Sequence, residues 1–501
     1  LMLITAFSCH AHTLGVAPLK LQINISRGIK FHLLGIPARP GNEIRNRVYT
    51  ALRSNGWRWP GQRITIQCEE SLVPVRHYEL DLAIALGILA ASDQLHIPDL
   101  DQYLIVGNLG LDGTLLKAKD PYNAVARAIA LGKKGMILQF DADFSFTAPL
   151  PSGFRIGRAA HLQDAIDVLQ TEYWQQMPIT SEQLQITQQD ALCFSQVEGH
   201  EIFKRALEVA AAGGHHLWAE GSPGLGKTML LERMYTILPP PNVRTSALVR
   251  SLGEAFGKKA VDRPCESLRL EQSLTSIFGN APELMQYAIE AFTTGAQDLS
   301  DVPAHAIPGK PQQVPTLIKG LGGVLIVDEL LKHKERFRAA LLKPMDSYTF
   351  QCIAAANPCP CGHFNSPTPC KCTPIALENH RQRFQAALRD RFDICLPITA
   401  PRQEFEAAET STQIQRRVHQ AWSIQMSRQG KQNAQLSEEE ILFLGLVPQH
   451  IYQWLVEHCV ASRISIRGRR QVLGVALTIM DLAEQQRMDL GHLQEALLMR
   501  D

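Results

Sequence analysis

The chain has 501 residues, 45% of them hydrophobic and 20% charged, with a formal net charge of +1 at pH 7. That length allows roughly two to four domains with sizeable cores. The balanced charge excludes a globally basic nucleic-acid binder, so any such contact needs a local patch, and no apolar run reaches the length of a membrane span. The opening residues 1–9 are apolar with no preceding basic residues, which reads as an edge or first strand and not as a secretory signal. Leu21-Gln22-Ile23-Asn24-Ile25 and Ile64-Thr65-Ile66 alternate as strands do. Residues 81–91 are an apolar, small-residue run suited to a buried helix. Asp120-Pro121 caps and opens a helix that stops near Gly132, ahead of a strand at Met136-Ile137-Leu138. Residues 1–173 are therefore expected to form an α/β domain. Over 174–190 the composition turns to Gln, Thr and Ser, which reads as a linker. A second α/β pattern is expected over 191–400, and 401–501 is almost wholly helical in pattern.

The most specific segment is Gly221-Ser222-Pro223-Gly224-Leu225-Gly226-Lys227-Thr228, directly after the apolar stretch His216-Leu217-Trp218-Ala219. Its glycines allow consecutive backbone N–H groups to face inward and cradle phosphate oxygens. Lys227 can reach the β and γ phosphates, and the Thr228 hydroxyl can bind Mg²⁺. The helix opening at Thr228 adds its positive dipole end. Strand, loop and helix occur in the required order, so 191–400 reads as a nucleotide-binding domain for ATP and Mg²⁺.

Gly322-Gly323-Val324-Leu325-Ile326-Val327-Asp328-Glu329 is an apolar strand ending in two carboxylates, as a buried parallel strand should. Asp328 is placed to hold Mg²⁺, and Glu329 to polarise an attacking water. A third strand, Cys352-Ile353-Ala354-Ala355-Ala356, ends in Asn357, an amide suited either to the γ-phosphate or lytic water or to a plain turn before Pro358. Arg391, ahead of another apolar strand, suits either a subunit face, where it would stabilise charge on a neighbour's nucleotide, or a surface ion pair. Arg467, Arg469 and Arg470 open a long helical pattern, where cations oppose the dipole and ask for an anionic partner such as phosphate; a solvated face is the alternative.

Eleven cysteines, four of them between positions 359 and 372, do not make a secreted disulfide framework and fit a reducing cytoplasm. Cys359, Cys361, Cys370 and Cys372 can close a tetrahedral structural Zn²⁺ site, with His363 able to replace one sulfur. Unligated thiols in a Pro-rich loop and a redox role are the alternatives. The other seven are expected in the core.

These segments, with Val197-Glu198-Gly199-His200, Asn357-Pro358-Cys359-Pro360-Cys361-Gly362 and Ser465-Ile466-Arg467, resemble the ComM/YifB-type magnesium-chelatase-like AAA+ ATPases. Asn24-Ile25-Ser26-Arg27-Gly28 and Gly107-Asn108-Leu109-Gly110-Leu111-Asp112-Gly113 resemble that family's N-terminal domain. The resemblance spans nearly the whole chain. It implies an α/β fold: a P-loop AAA+ core over 191–400 with a Cys-rich insert at 359–372, a C-terminal helical lid over 401–501, and a Lon-protease-like N-terminal domain over 1–173. It further implies an ATP-hydrolysing homo-oligomeric ring, expected to be a hexamer, that acts on DNA as a helicase or branch-migration motor in natural transformation and recombination, without a membrane. Asn357 takes the place of the sensor-1 residue, Arg391 of the arginine finger and Arg467 of the sensor-2 residue.

Three features depart from the family. Arg76-His77-Tyr78-Glu79-Leu80-Asp81 holds no serine where the protease-like domain carries its nucleophile, so no peptidase is expected. The β-hairpin that precedes the sensor-1 strand is missing, because residues 344–350 run almost straight into that strand. Residues 303–322 match the family's pre-strand insert only at His305. These losses leave ATP chemistry intact but bear on translocation. They keep open a chelatase-like protein-remodelling motor and an ATP-binding assembly module without translocation.

Overall fold

The computed structural model describes residues 3–12, 15–69, 77–139, 150–151, 153–171, 174, 192–241, 245–246, 249, 263, 265–268, 272, 277, 316–364, 366–384, 386–399 and 409–500. The chain divides into two compact units.

The first unit is built on an eight-stranded mixed sheet. Its strands are β1 (Leu3–His12), β2 (Gly15–Ser26), β3 (Phe31–Leu34), β4 (Arg63–Cys68), β5 (His77–Tyr78), β6 (Tyr103–Ile105), β7 (Gly135–Leu138) and β8 (Arg155–Arg158). They lie in the order β3-β4-β2-β1-β6-β7-β8, with β5 against β1. The opening strand is therefore interior, antiparallel to β2 and parallel to β6. The helices are α1 (Ala38–Ser54), α2 (Asp81–Ala91), α3 (Pro121–Ala130) and α4 (Leu162–Thr171). Strand alternation feeds two cores: Leu104 and Val106 pack with Val125 and Ala128 of α3, while Ile105 packs with residues of α1, α2 and α4. The Asp120 side chain accepts a hydrogen bond from the Asn123 N–H, and Pro121 stands at the first helical turn, which fixes where α3 begins. Trp174, the first residue of the expected linker, stacks on Tyr103 with ring centroids 5.0 Å apart. The rest of that linker lies outside the described residues.

Helix α2 is buried from Asp81 to Ala90, which accounts for its lack of a polar face. Asp81 accepts from the Nε and Nη2 edge of one guanidinium, with Arg47 Nε at 2.6 Å and Nη2 at 3.0 Å, and from the Leu109 N–H at 3.1 Å. Glu79 is as deeply buried but has no ion pair among the described residues; one oxygen accepts from the Lys119 N–H at 2.9 Å, and the other has no hydrogen-bond partner among them. Burial raises its pKa from 4.5 to about 7. The unfolded chain gives up that proton at lower pH than the folded chain does. The stability associated with the neutral acid is thus full below pH 4.5 and lost as pH rises through about 7. The loss is roughly 3 kcal/mol. Glu79→Gln is expected to flatten this dependence, read as hydrogen exchange in peptides covering β5 and α2. An unchanged pH dependence in the variant would exclude Glu79 as its source.

The second unit carries a five-stranded sheet, all parallel, in the order β10-β11-β12-β9-β13. The strands are β9 (Leu217–Gly221), β10 (Cys265–Leu268), β11 (Val324–Val327), β12 (Gln351–Ala356) and β13 (Ile394–Ile398). Every residue of β11 and β12 is buried, the state of a parallel sheet covered on both faces. Around it lie α5 (Glu201–Gly213), α6 (Lys227–Arg233), α7 (Thr316–Lys319), α8 (Glu335–Asp346), α9 (Pro374–Arg383) and α10 (Ala386–Arg389). The described residues from 409 onward form α11 (Ser411–Gln429), α12 (Glu438–Phe443), α13 (Gln449–Ala461), α14 (Ile466–Leu482) and α15 (Leu490–Leu498), with no strand among them. Thr410, Ser437, Ser465 and Asp489 start four of these helices, each accepting from the N–H three residues on. Helix α14 shares the core of α5 and the sheet. Its buried Asp481 is paired with Arg428 at 2.7 Å and with the Asn433 amide at 2.8 Å.

Helix α8 ends at Asp346 and β12 begins at Gln351, so four residues connect them and no hairpin intervenes. Of residues 303–322, positions 303–315, His305 included, lie outside the described residues. No helix among the described residues is long and apolar enough to cross a membrane.

Candidate nucleotide site

Parallel register brings three strand ends to one edge: β9 ends at Gly221, β11 at Val327 and β12 at Ala356. The loop after β9 re-enters helix α6 through Gly226, whose φ of 71° lies in the left-handed region that glycine adopts at no steric cost. Lys227 is 8% exposed and donates to the carbonyls of Gly221 (2.5 Å) and Ser222 (3.0 Å) and to Asn357 Oδ1 (2.9 Å). Burial lowers its pKa, opposed by Asp328 and Glu329. The ammonium is thus held at the loop by weak acceptors that a phosphate can outcompete. The Thr228 hydroxyl donates to Asp328 at 2.6 Å, so the two expected Mg²⁺ ligands meet. Glu329 stands at φ 51°, its carboxylate 2.6 Å from Lys332 Nζ and 3.4 Å from the Asn357 amide nitrogen. Lys227, Thr228, Asp328, Glu329 and Asn357 form one constellation: a cation for phosphate, an oxygen pair for a divalent metal, and a carboxylate beside an amide. The donor set fits MgATP.

Arg391 and Arg467 take no part in that constellation in this chain. Both bind one carboxylate: Arg391 Nη2 lies 2.6 Å from Asp346 Oδ2, and Arg467 Nη2 lies 2.6 Å from Asp346 Oδ1. Arg391 also donates to the carbonyls of Leu342 and Ala387. The anionic partners expected at the start of α14 are protein groups here, since Arg469 pairs with Glu438 at 2.8 Å and Arg470 donates to the Ala434 carbonyl at 2.7 Å and to the Tyr348 hydroxyl. Tyr348 in turn donates to buried Asp393 at 3.2 Å and stacks on His216 with centroids 4.8 Å apart. Burial alone would raise the Asp393 pKa, but His215, Arg470 and His216 hold it well below the usual carboxylate range. Asp346 and Tyr348, on and just after the last turn of α8, thus tie the segment before β13 and the start of α14 to the end of that helix.

The four clustered cysteines do converge. Their sulfurs lie within 4.8 Å of one another, and Cys359, Cys361 and Cys370 are 3.4–3.7 Å apart. Four sulfurs at ~2.3 Å from one Zn²⁺ stand about 3.8 Å apart, so the set fits the ion. The ligating group among the described residues is these four sulfurs alone, and His363 does not join it. N–H groups of His363 and Lys371 lower the Cys361 thiol to about 6. Cys372, despite an N–H from Cys361, is pushed up to about 12 by desolvation and by its neighbouring thiols. Crowded thiolates of this kind ionise together only around a cation. The remaining cysteines are less uniform than expected: Cys9, Cys68, Cys352, Cys395 and Cys459 are buried, Cys193 is half-buried and Cys265 is exposed.

This loop rests on the phosphate loop. A Cβ at Gly362 would meet Pro223 at 2.5 Å, so only glycine permits the approach. After Cys372, the side chain of Thr373 caps α9, and His380 on that helix returns to the Asn357 carbonyl, Nε2 to O 2.9 Å. Protein purified without chelators is expected to carry about one Zn²⁺ per chain. The Cys370→Ser, Cys372→Ser double variant should lose the metal and loosen the segment after Asn357. Metal analysis showing no Zn²⁺, with all four thiols freely titratable, would leave an ordinary Pro-rich loop.

Sequence reading missed Asp346, Tyr348, Lys332 and His380. Only Lys332 left a local signal, since it stands three residues after Glu329. The others act across 45 residues or by a carbonyl contact that no motif records.

Family models match along the chain: "Subunit ChlI of Mg-chelatase" at residues 21–142, "Magnesium chelatase, subunit ChlI" at 193–295 and 271–406, and "Magnesium chelatase, subunit ChlI C-terminal" at 408–500. YifB of Escherichia coli (strain K12) is 31% identical over 509 residues, covering 96% of this chain and 94% of YifB. Competence protein ComM of Haemophilus influenzae is 29% identical over 511 residues, again covering 96% and 94%. A protein of Mycobacterium tuberculosis is 26% identical over 519 residues, 99% of this chain. The chain is thus a mixed α/β protein whose parallel sheet is consistent with the ATPase domain of these models, followed by their C-terminal helical region.

Proposed function

The chain belongs to the magnesium-chelatase ChlI-like family, and on that premise we propose that it is an ATP-hydrolysing AAA+ motor that assembles into a homo-hexameric ring and works on DNA. The observation that carries the reading is the meeting of Lys227, Thr228, Asp328, Glu329 and Asn357 at one sheet edge. In this reading Lys227 and the backbone of Gly221, Ser222, Pro223, Gly224, Leu225 and Gly226 hold the phosphates. Thr228 and Asp328 hold Mg²⁺, which when bound neutralises phosphate charge. Glu329 takes the proton of the attacking water, and Asn357 orients that water or the γ-phosphate. Arg391 serves as arginine finger and Arg467 as sensor 2, leaving Asp346 when a neighbouring subunit's nucleotide offers them more negative charge. Residues 1–173 form a Lon-protease-like domain without a nucleophile, 174–190 a linker, 191–400 the ATPase domain and 401–501 the lid. The likeness to competence protein ComM supports the family, and DNA as the partner comes from the resemblance of the sequence motifs to it.

A second reading, an ATP-driven assembly module that does not translocate, is favoured by the four-residue connection from α8 to β12. ATP turnover with and without single-stranded and branched DNA separates the two. The motor predicts turnover that rises with DNA. ATP-dependent oligomers whose turnover DNA leaves unchanged would select the module.

A further inference from the structure

The last residue of α8 stands between two cations. Asp346 Oδ2 accepts from Arg391 Nη2 at 2.6 Å and Nε at 3.2 Å, and Oδ1 accepts from Arg467 Nη2 at 2.6 Å. Neither arginine pairs with a second carboxylate among the described residues. One negative charge therefore serves two positive ones. The three side chains are partly exposed, Asp346 at 37%, Arg391 at 18% and Arg467 at 36%. Water reaches both ion pairs, so they are of the weak kind that a stronger anion displaces. The arginines are not held alike. Arg391 also donates through Nε and Nη1 to the carbonyls of Leu342 and Ala387, whereas the Asp346 contact is the only side-chain hydrogen bond of Arg467 among the described residues.

A carboxylate at a helix C-terminus faces the negative end of the dipole and depends on nearby cations. Drawing Arg391 and Arg467 away toward phosphate therefore costs twice: the arginines lose their acceptor, and Asp346 loses the charges that compensate it. An uncharged side chain at 346 would lose nothing by their departure. We propose that Asp346 is a positioning residue, a competing counter-ion that holds Arg391 and Arg467 together in the separate subunit and sets how strongly a neighbour's triphosphate must attract them. It touches no nucleotide itself and acts through the two guanidiniums. This inference rests on the reading of Arg391 as arginine finger and Arg467 as sensor 2.

The test is equilibrium binding of Mg²⁺ and the β,γ-imido analogue of ATP to the full chain, both dilute and at concentrations where it is assembled. Asp346→Asn is expected to tighten binding by the assembled chain about three- to tenfold, the scale of two partly exposed ion pairs. The dilute variant is expected to bind as the parent does, because no neighbour's nucleotide is within reach; that parental affinity also reports that it is folded. A merely structural role would alter both states alike. In the Arg391→Ala, Arg467→Ala background, Asp346→Asn is expected to change nothing. Asp346→Ser, which also lacks the charge, takes the place of the amide variant if that does not fold. Unchanged or weaker binding by the assembled variant, an equal change in the dilute one, an effect that persists without the two arginines, or no assembly at any concentration would each overturn the role of Asp346 while leaving the nucleotide site standing. A parent chain that binds no analogue in either state overturns both.

Discussion

Glu329→Gln is expected to bind MgATP as the parent does and to hydrolyse it roughly 10²–10⁴-fold more slowly, the range associated with loss of a general base. The backbone at Glu329 is already set, at φ 51°, and its N–H accepts no change from the substitution because it is held by Asp328 at 2.9 Å. The amide oxygen still accepts from Lys332, so the side chain keeps its place. What it cannot do is take a proton from water. Filter binding of ATP and single-turnover phosphate release separate the two effects. Hydrolysis at the parental rate would remove Glu329 from the mechanism.

Lys227→Ala acts one step earlier. Its ammonium is the single cation held within the phosphate loop, and its removal deletes charge-assisted contacts worth about 1.5–3 kcal/mol each. ATP affinity is expected to fall by at least about 10–100-fold. The carbonyls of Gly221 and Ser222 and the Asn357 amide lose a donor in the variant. Water can replace it in a loop whose Gly224 has open space around it, so the fold is expected to persist with modest loss of stability. Equilibrium ATP binding and circular dichroism are measured on the same sample. Parental affinity in folded protein would place the phosphates elsewhere.

The parts of this fold that sequence made legible are those with short-range physical causes. Parallel strands β11 and β12 are wholly buried, hence apolar runs over 324–327 and 352–356, and the polar residues that follow them fall on one edge by register. The phosphate loop is legible because backbone curvature and a phosphate cradle restrict residue type at fixed spacing. The cap at Asp120 announced its helix for the same local reason. Long-range pairings left no such trace. Arg467 was read as a cation seeking phosphate, yet its carboxylate stands 121 residues earlier, at Asp346. The four cysteines pointed to a metal. Their loop's contact with Pro223 through Gly362, and its return to Asn357 through His380, come from tertiary packing alone. Glu79 carried no sequence signal because its pKa follows from burial, and burial follows from the whole sheet.

The central claim is that this sheet edge turns over ATP, and steady-state phosphate release from MgATP by the purified full chain tests it most directly. Measured across protein concentrations that span assembly, turnover is expected to appear, to rise with oligomer formation as the proposed action of Arg391 on a neighbour's nucleotide requires, and to vanish on Mg²⁺ chelation. Folded protein that binds MgATP and assembles, yet releases no phosphate at any concentration with or without DNA, would contradict the account.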